Sequence, residues 1–372
     1  VNGRSVLRKD LAEKVAAMDP GFVRFPGGCV TNAGTFKTYE ESGFVDRQRT
    51  YQWKETIGPI EERPTNKNFW GYNQTYGIGY LEYFELAEDL GAEPLPVLSV
   101  GANGCGSTIP EMKDPAMIDR WVQDTLDLIE FANGDVDTEW GAVRAQLGHP
   151  KPFGMEMIGL GNEENTTTFE ANFPKFKAAV EAAYPDIAII SNSGPDDAGT
   201  RFDTLWSFNR AQGVDMVDEH YYNDPDWFLD NNHRYDDYDR EGPKVFLGEY
   251  ASRGNTYYNA LVEAAYMTGL QRNGDMVRLA PGRAEIIDEV LAGLGEPRTA
   301  ADLVRGLEQR QGGPRGTGED APGQRRPGER ALPGRGRREV RRELPRPGRR
   351  VLQVRRLSRA SGMHAPTLRP VT

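Results

Sequence analysis

The 372-residue sequence contains only two cysteines, Cys29 and Cys105, and only four histidines. Two cysteines are too few for a disulfide framework or a cysteine zinc site, and the histidines have no metal-ligand spacing, so the sequence predicts no metal site. No apolar run approaches the roughly 20 residues of a membrane helix. The presence of two thiols and the lack of a visible signal peptide at Val1 favour a cytoplasmic location. Because the sequence does not start with Met, the lack of a signal peptide is weak evidence for that location.

Lysine and the aromatic residues disappear after Ala280. Residues 281–372 contain 20 Arg but no Lys, Phe, Trp or Tyr, whereas residues 1–280 carry 45 acidic and 25 basic side chains. The break predicts a partial catalytic domain at 1–280 and an Arg-, Gly- and Pro-rich tail at 281–372. Such a tail is typical of a GC-rich gene read out of frame, so we expect it to be non-native or disordered. A genuine appended segment with short helices is the alternative.

The charge distribution also bears on partners. An acidic body lacks the basic footprint that nucleic acids require. The basic residues of the tail alternate with Gly, Pro and Glu and have no aromatic neighbours for base stacking. The sequence therefore predicts neither a nucleic-acid partner nor a membrane partner, while the abundant aromatic residues of the body suit a carbohydrate. Assembly of the chain into a homo-oligomer is an open alternative.

Apolar strand-like segments alternate with amphipathic helices along residues 1–280. The pattern predicts helices at 7–18, 79–90, 114–132, 173–184, 204–212 and 259–273, and strands near residues 22, 95, 157, 189, 218, 246 and 277. Alternation of this kind indicates a parallel sheet covered by helices. We expect an incomplete (β/α)8 barrel whose first strand precedes Val1. A doubly wound open sheet is the alternative, but no phosphate-binding fingerprint follows its first strand.

Two of the predicted strands end in glutamate. Residues 155–165 (MEMIGLGNEEN) lead to Glu163, and residues 244–250 (KVFLGEY) lead to Glu249, 86 positions later. Barrel enzymes place catalytic groups at the carboxyl ends of their strands, and two facing carboxylates can perform retaining glycoside hydrolysis. Glu164 competes with Glu163, but it should point to the opposite face of the strand. A lone glutamate would more simply be a solvated strand end.

Other polar residues accompany the two glutamates. The amide of Asn162 can hold a sugar hydroxyl beside Glu163, while His220 and Tyr222 share one face of their strand and can orient either carboxylate. Arg24 precedes a Gly-Gly turn at residues 27–28 and suits either a site role or a structural ion pair. The long segment 31–77 is rich in aromatic residues, so we expect it to form a wall over the substrate. A small satellite core is the alternative for that segment.

Several motifs, taken in order, resemble the α-L-arabinofuranosidases of glycoside hydrolase family 51. They are residues 24–29 (RFPGGC), 53–59 (WKETIGP), 62–64 (ERP), 86–94 (LAEDLGAEP), 161–163 (GNE), 220–222 (HYY) and 248–250 (GEY). GNE alone occurs in many related barrel glycosidases, but the ordered set over about residues 5–280 is far more specific. Two departures from the family are the lack of a first barrel strand with its substrate-binding Glu and the lack of a β-sandwich after Ala280.

The resemblance implies a retaining enzyme, without metal or organic cofactor, that removes terminal α-L-arabinofuranosyl groups from arabinan or arabinoxylan. It makes Glu163 the acid/base and Glu249 the nucleophile. It also assigns substrate-site roles to six residues: Arg24, Cys29, Trp53 (a subsite wall), Asn162, His220 and Tyr222 (the partner of the nucleophile). The alternatives are another retaining relative, such as a β-xylosidase or an endo-glycanase, and an inactive carbohydrate-binding fragment with open strand edges.

Overall fold

A computed structural model describes residues 7–31, 51–67, 73–106 and 110–280 of the chain. Its strands are β1 (Phe22–Phe25), β2 (Thr65–Lys67), β3 (Asn73–Thr75), β4 (Glu93–Leu98), β5 (Met157–Leu160), β6 (Ala188–Asn192), β7 (Met216–Asn223), β8 (Lys244–Ser252) and β9 (Val277–Leu279). Its α-helices are α1 (Lys9–Ala16), α2 (Tyr80–Leu90), α3 (Pro115–Asn133), α4 (Glu139–Gln146), α5 (Thr167–Ala183), α6 (Thr200–Gln212), α7 (Pro225–Asp230) and α8 (Tyr257–Arg272). The predicted tail, residues 281–372, lies outside the described residues.

Seven strands form one parallel sheet in the order β1-β4-β5-β6-β7-β8-β9, and β2 pairs with β3 in a separate antiparallel ribbon. All seven strands expected from the sequence are therefore confirmed, as is their parallel arrangement. The sheet is curled, because the ring of Phe22 on β1 lies 5.6 Å from that of Phe246 on β8. A doubly wound open sheet would hold these two strands far apart. The curled sheet with its outer helices is that of an incomplete (β/α)8 barrel.

The barrel interior is filled by side chains at the end opposite the carboxyl termini of the strands. Phe246 of β8 packs there in a buried cluster with Leu95 and Val97 of β4, Ile190 of β6 and Met216 of β7. Branched and aromatic side chains thus close the lower part of the barrel, as in other (β/α)8 folds. This leaves the upper end, where the strands run into loops, as the place where polar side chains can converge.

Helices α2, α6 and α8 pack buried apolar residues against the sheet, whereas α1 has no buried residue. Helix α3 begins where the side chain of Asp114 accepts a hydrogen bond from the backbone N–H of Met117 at 2.9 Å, directly before Pro115. Helix α2 ends at Gly91, whose φ of +65° is readily adopted by glycine. None of the described helices is both long enough and apolar enough to cross a membrane.

Helix α5 begins earlier than the sequence pattern predicted. The expected start was residue 173, but the helix begins at Thr167 and continues through Pro174. Phe169 and Phe173 are fully buried, so the first turns are retained by packing although Pro174 removes one backbone hydrogen bond. The short helices α4 and α7 were not predicted, because pieces of 8 and 6 residues carry little periodicity.

The described aromatic residues of segment 31–77 form a satellite core. Tyr51, Trp53 and Tyr76 are all buried. The Tyr51 and Tyr76 rings lie 5.1 Å apart, and Trp53 lies 4.9 Å from Trp140 of α4. For these residues the expected wall over the substrate is wrong, because their rings contact the core. Phe69, Trp70 and Tyr72, predicted to share that role, lie outside the described residues.

Candidate active site

Glu163 and Glu249 converge on the imidazole of His220 at the upper end of the barrel. His220 Nδ1 lies 2.8 Å from Glu163 Oε1 and 3.7 Å from Glu249 Oε2. One oxygen of each carboxylate and one nitrogen of His220 all lie within 4.8 Å of one another. The structure therefore brings together two carboxylates from strands that are not neighbours in the sheet, with a third polar side chain between them.

A bulge aligns Glu249 with His220. The register between β7 and β8 shifts after Glu219, so His220 pairs with Glu249 and Gly248 is passed over. The backbone N–H of Gly248 donates to Asp218 Oδ1 at 2.8 Å, and a Cβ on Gly248 would lie 2.2 Å from that oxygen. Only glycine fits this approach. The extra residue rotates the Glu249 side chain onto the face that carries His220.

Glu249 is surrounded by groups that favour its charged form. Arg24 Nη1 donates to Glu249 Oε1 at 2.9 Å, and the Tyr222 hydroxyl donates to Oε2 at 2.7 Å. Burial alone would raise the pKa of Glu249, but the positive charges of His220 and Arg24 and these two hydrogen bonds lower it below its usual value. The result is an ionised carboxylate, largely buried and fixed by two donors.

The neighbouring chain closely covers Glu249. Gly28, in the turn after β1, approaches so near that a Cβ there would lie 2.4 Å from Glu249 Oε1. Glycine allows the backbone of a turn to come this close to another group, and any side chain at position 28 would displace Glu249.

His220 is held as a cation. Burial opposes its charged form, yet the carboxylates of Asp218, Glu163 and Glu249 together raise the pKa of His220 to about 10. Asp218 Oδ2 lies 3.3 Å from His220 Nε2, an ion pair without hydrogen-bond geometry, and 3.4 Å from Arg24 Nη2. An imidazole with this pKa is protonated at neutral pH and is not a general base.

Asp218 is a site residue that the sequence reasoning missed. It is almost fully buried, and it contacts Arg24, His220 and the backbone of Gly248. The signal was available, because the alternation that places His220 and Tyr222 on one face extends back to Asp218. Without an observed partner, however, an aspartate inside the predicted strand 216–222 could not be told from an ordinary polar strand residue.

Glu163 adopts an uncommon backbone conformation. Its φ is +51°, in the left-handed region that side chains other than those of Gly, Asn and Asp rarely adopt. Asn162 precedes it, and the Asn162 Oδ1 atom accepts a hydrogen bond from Arg24 Nη2 at 2.6 Å. Arg24 thus bridges Asn162 and Glu249, which favours the site role over a purely structural one for this arginine.

Glu164 faces away from the site. It is completely buried, and its carboxyl group accepts contacts from the backbone N–H of Val100 at 3.3 and 3.4 Å. Burial raises the pKa of Glu164 to about 8, so the group is mostly neutral at pH 7. As the alternation of side chains predicted, Glu164 points opposite to Glu163 and does not reach the carboxylate pair.

The carboxylate pair opens into a cavity of about 710 Å³. Besides Glu163, Glu249, His220 and Tyr222, the cavity is lined by Cys29, Cys105, Gly106, Pro195, Asp196, Asp197, Tyr221, Asn223 and Arg253. Trp53, expected as a subsite wall, is not among them. It is 3% exposed, and its indole N–H donates to the carbonyl of Asp124 at 2.8 Å. That prediction is wrong, because the Trp53 ring fills the satellite core.

Cys29 and Cys105 are joined by a disulfide that links the loop after β1 to the loop after β4. The prediction of two thiols is therefore wrong. Two groups of side chains are close enough to share a cation. One is Glu163, His220 and Glu249, and the other is Cys29, Cys105 and Glu163. Oxidised sulfurs and a protonated imidazole are poor metal ligands, however, because neither offers the donor form that metals bind.

A parallel barrel in which one carboxylate follows β5 and meets another in the carboxyl-terminal half of β8 has the architecture of the glycoside hydrolase class. Residues 14–240 match the family described as "Alpha-L-arabinofuranosidase 1 domain". Because this match covers more than half of the sequence, the chain belongs to that α-L-arabinofuranosidase family. The predicted family membership is confirmed.

Individual relatives agree with this result. The chain is 60% identical over 280 residues to an extracellular exo-α-L-arabinofuranosidase of Streptomyces chartreusis, covering 75% of this chain and 34% of the relative. It is 36% identical to α-L-arabinofuranosidase 1 of Arabidopsis thaliana, covering 73% of this chain and 38% of the relative. The chain thus spans between a third and two fifths of the length of these relatives.

A solved structure shows the same fold. An arabinose-bound family 51 α-L-arabinofuranosidase superposes with a TM-score of 0.60 at 31% identity, over 74% of this chain and 43% of that one. The expected cytoplasmic location is contradicted, because the 60% identical Streptomyces relative is named as extracellular. The disulfide agrees with this correction, since such bonds persist in oxidising compartments.

Proposed function

We propose that the chain is a retaining α-L-arabinofuranosidase that hydrolyses terminal non-reducing α-L-arabinofuranosyl groups. The observation that carries the proposal is the approach of the two carboxylates, which have oxygens within 4.8 Å of one another around His220. Retaining enzymes hold their carboxyl groups about 5–5.5 Å apart, whereas inverting enzymes leave about 6.5–9.5 Å for a water molecule. The short separation supports attack by a carboxylate rather than by water.

Glu249 is the nucleophile of this mechanism. Its lowered pKa keeps it ionised, and the donors Arg24 and Tyr222 fix its oxygens. One of these oxygens forms a bond to the anomeric carbon while the bond from that carbon to the leaving oxygen breaks. The product of the step is a covalent arabinosyl ester, and the positive charge of His220 stabilises the carboxylate before it reacts.

Glu163 is the acid/base. Its carboxylic acid gives a proton to the leaving oxygen in the first step, and the resulting carboxylate takes a proton from the attacking water in the second. His220 Nδ1 lies 2.8 Å from Glu163 Oε1, so the imidazolium orients the carboxyl group without itself exchanging the proton. We assign Asn162, which is buried beside Arg24, the holding of a sugar hydroxyl, and Cys29 lines the cavity.

The substrate class follows from the relatives. The Streptomyces relative is named as an exo-α-L-arabinofuranosidase, and the similar solved structure binds arabinose. We therefore assign arabinose-containing oligosaccharides or polysaccharides, such as arabinan and arabinoxylan, as substrates. The disulfide and the name of the same relative support an extracellular site of action.

The test is hydrolysis of 4-nitrophenyl α-L-arabinofuranoside by the purified chain, with 4-nitrophenyl β-D-xyloside in parallel. Glu249→Ala should lower kcat by roughly 10⁴-fold or more, as loss of a covalent nucleophile does in other hydrolases. Glu181→Ala, which removes an exposed carboxylate of α5, is the control and should leave the rate unchanged. NMR should show α-arabinofuranose as the first product. First appearance of the β anomer, or a preference for the xyloside, would refute the proposal.

A further inference from the structure

A carboxylate outside the cavity connects the loops that flank Glu163. Glu111 lies before α3, and its Oε1 atom accepts hydrogen bonds from the Thr166 hydroxyl at 2.5 Å and from the backbone N–H of Asn103 at 3.0 Å. Its Oε2 atom accepts from the Thr168 hydroxyl at 2.7 Å. One side chain therefore joins the loop after β4 to the start of α5.

Glu111 is well suited to this role electrostatically. Its side chain is 14% exposed, and burial would raise its pKa, but the hydrogen bonds from Thr166, Thr168 and Asn103 lower it below the usual value. It also lies at the N-terminal end of α5, where the helix dipole favours a negative charge. Glu111 is therefore ionised at neutral pH, and its hydrogen bonds are of the stronger, charge-assisted kind.

The same loops hold the backbone of Glu163. Asn165 lies between Glu163 and the segment that Glu111 binds. Its backbone N–H donates to the carbonyl of Asn103 at 3.1 Å, and its side chain donates to the carbonyl of Glu163 at 2.8 Å. Glu111 and Asn165 thus hold Asn103 through its N–H and its carbonyl.

Glu163 needs such support because of its backbone conformation. A left-handed φ in a residue that is not glycine is energetically unfavourable and persists only where the surroundings enforce it. If the loop relaxed, the carboxyl group would move relative to Glu249. Misplacement by about 1 Å can lower a rate by roughly 10²-fold.

We propose that Glu111 is a positioning residue for the acid/base Glu163, acting through Asn103, Asn165 and Thr166. The inference rests on the proposed function, since it takes Glu163 as the proton donor. Glu111 is not among the residues that line the cavity, so it acts through its neighbours and does not touch the substrate.

The test exploits how much proton donation the leaving group needs. An aryl leaving group such as 4-nitrophenolate departs with little help, whereas an alkoxide needs an acid. Glu111→Ala should lower kcat/KM for methyl α-L-arabinofuranoside by roughly 10–100-fold and for the 4-nitrophenyl arabinofuranoside by less than about threefold. A loss of folded protein would lower both rates equally and leave their ratio unchanged.

Two further variants complete the design. Glu111→Gln keeps the shape and one acceptor oxygen, so it should give an intermediate ratio even if Glu111→Ala folds poorly. Glu93→Ala is the matched control, because Glu93 also accepts a backbone N–H, that of Glu156 at 2.7 Å, but at the opposite end of the barrel. It should change stability without changing the ratio of the two rates.

The outcomes separate the two proposals. A wild-type chain that hydrolyses neither arabinofuranoside overturns the proposed function, and the role of Glu111 falls with it. A wild-type chain that hydrolyses both, with the wild-type ratio preserved in Glu111→Ala and Glu111→Gln, overturns the role of Glu111 alone. A ratio that shifts as much in Glu93→Ala would also overturn it.

Discussion

Asp218 is expected to set the protonation state of His220, and Asp218→Asn is the perturbation that tests this. The variant keeps the size of the side chain but removes a negative charge 3.3 Å from His220 Nε2. At an effective dielectric constant of about 20, that charge stabilises the imidazolium by roughly 5 kcal/mol. Since each pKa unit corresponds to about 1.36 kcal/mol, the loss should bring the titration of His220 down from about 10 into the neutral range.

The direct assay is ¹⁵N NMR of the imidazoles, which is tractable because the chain has only four histidines. In the wild type, the ring nitrogens of His220 should keep the ¹⁵N chemical shifts of an imidazolium up to pH 8 and beyond. In Asp218→Asn, His220 should titrate between about pH 5 and 8. Asp215→Asn is the control, because Asp215 precedes the same strand and its carboxylate accepts the Ile189 N–H at 2.8 Å, away from the site. An unchanged titration of His220 in Asp218→Asn would refute the electrostatic reasoning.

The same substitution should lower activity. A neutral His220 no longer lowers the pKa of Glu249, so a smaller fraction of the proposed nucleophile is ionised. At an effective dielectric constant of about 20, the charge of His220 is worth roughly 4.5 kcal/mol to Glu249 at 3.7 Å, and if about half of this is lost from the transition state, kcat/KM at pH 7 falls by roughly 30- to 100-fold. Activity equal to that of wild type, with His220 shown by NMR to be neutral, would mean that its charge is not used in the reaction.

Two further predictions concern stability. The double variant Cys29→Ser/Cys105→Ser removes a bond that spans 76 residues, and a urea titration should show a free energy of unfolding lower by about 3–4 kcal/mol. An unchanged free energy of unfolding would show that the two loops are held equally well without the disulfide. Glu164 has a pKa raised to about 8 in the folded chain, so its contribution to stability is fully present below about pH 4.5 and is lost as the pH rises through 8. Glu164→Gln should therefore unfold with a weaker pH dependence over that interval, whereas an unchanged dependence would contradict the burial of an ionisable group there.

The sequence was sufficient for the fold because each barrel strand carries its own signal. Strand β5 contains the apolar run 157–160 (MIGL) and β8 the apolar run 245–247 (VFL), each followed by glycine, and helices such as α2 and α3 have clear apolar stripes. The two glutamates could be identified as well, since the ends of parallel strands meet at one end of a barrel. These features depend on local residue patterns and on the order of strands and helices, and both can be read from the sequence.

The remaining site features depend on contacts between distant residues. Trp53 looks like a sugar platform in sequence, but Trp140 and Phe131 provide it with a core. The bulge at Gly248 depends on the shifted register between β7 and β8, and the role of Asp218 depends on its contact with the distant Arg24; no periodicity reveals either of them. The disulfide likewise joins two loops whose proximity follows from the pairing of β1 with β4.

The left-handed backbone of Glu163 has a consequence for how such a barrel can vary. At this position a glycine would relieve the conformational cost, so the residue that suits the fold best is one that carries no proton. Selection for stability alone would therefore erase the proposed acid/base, and we expect a variant at residue 163 that gained thermal stability to gain it by losing turnover. Residue 163 is thus a point where the optimum of the polypeptide and the optimum of the reaction are different amino acids.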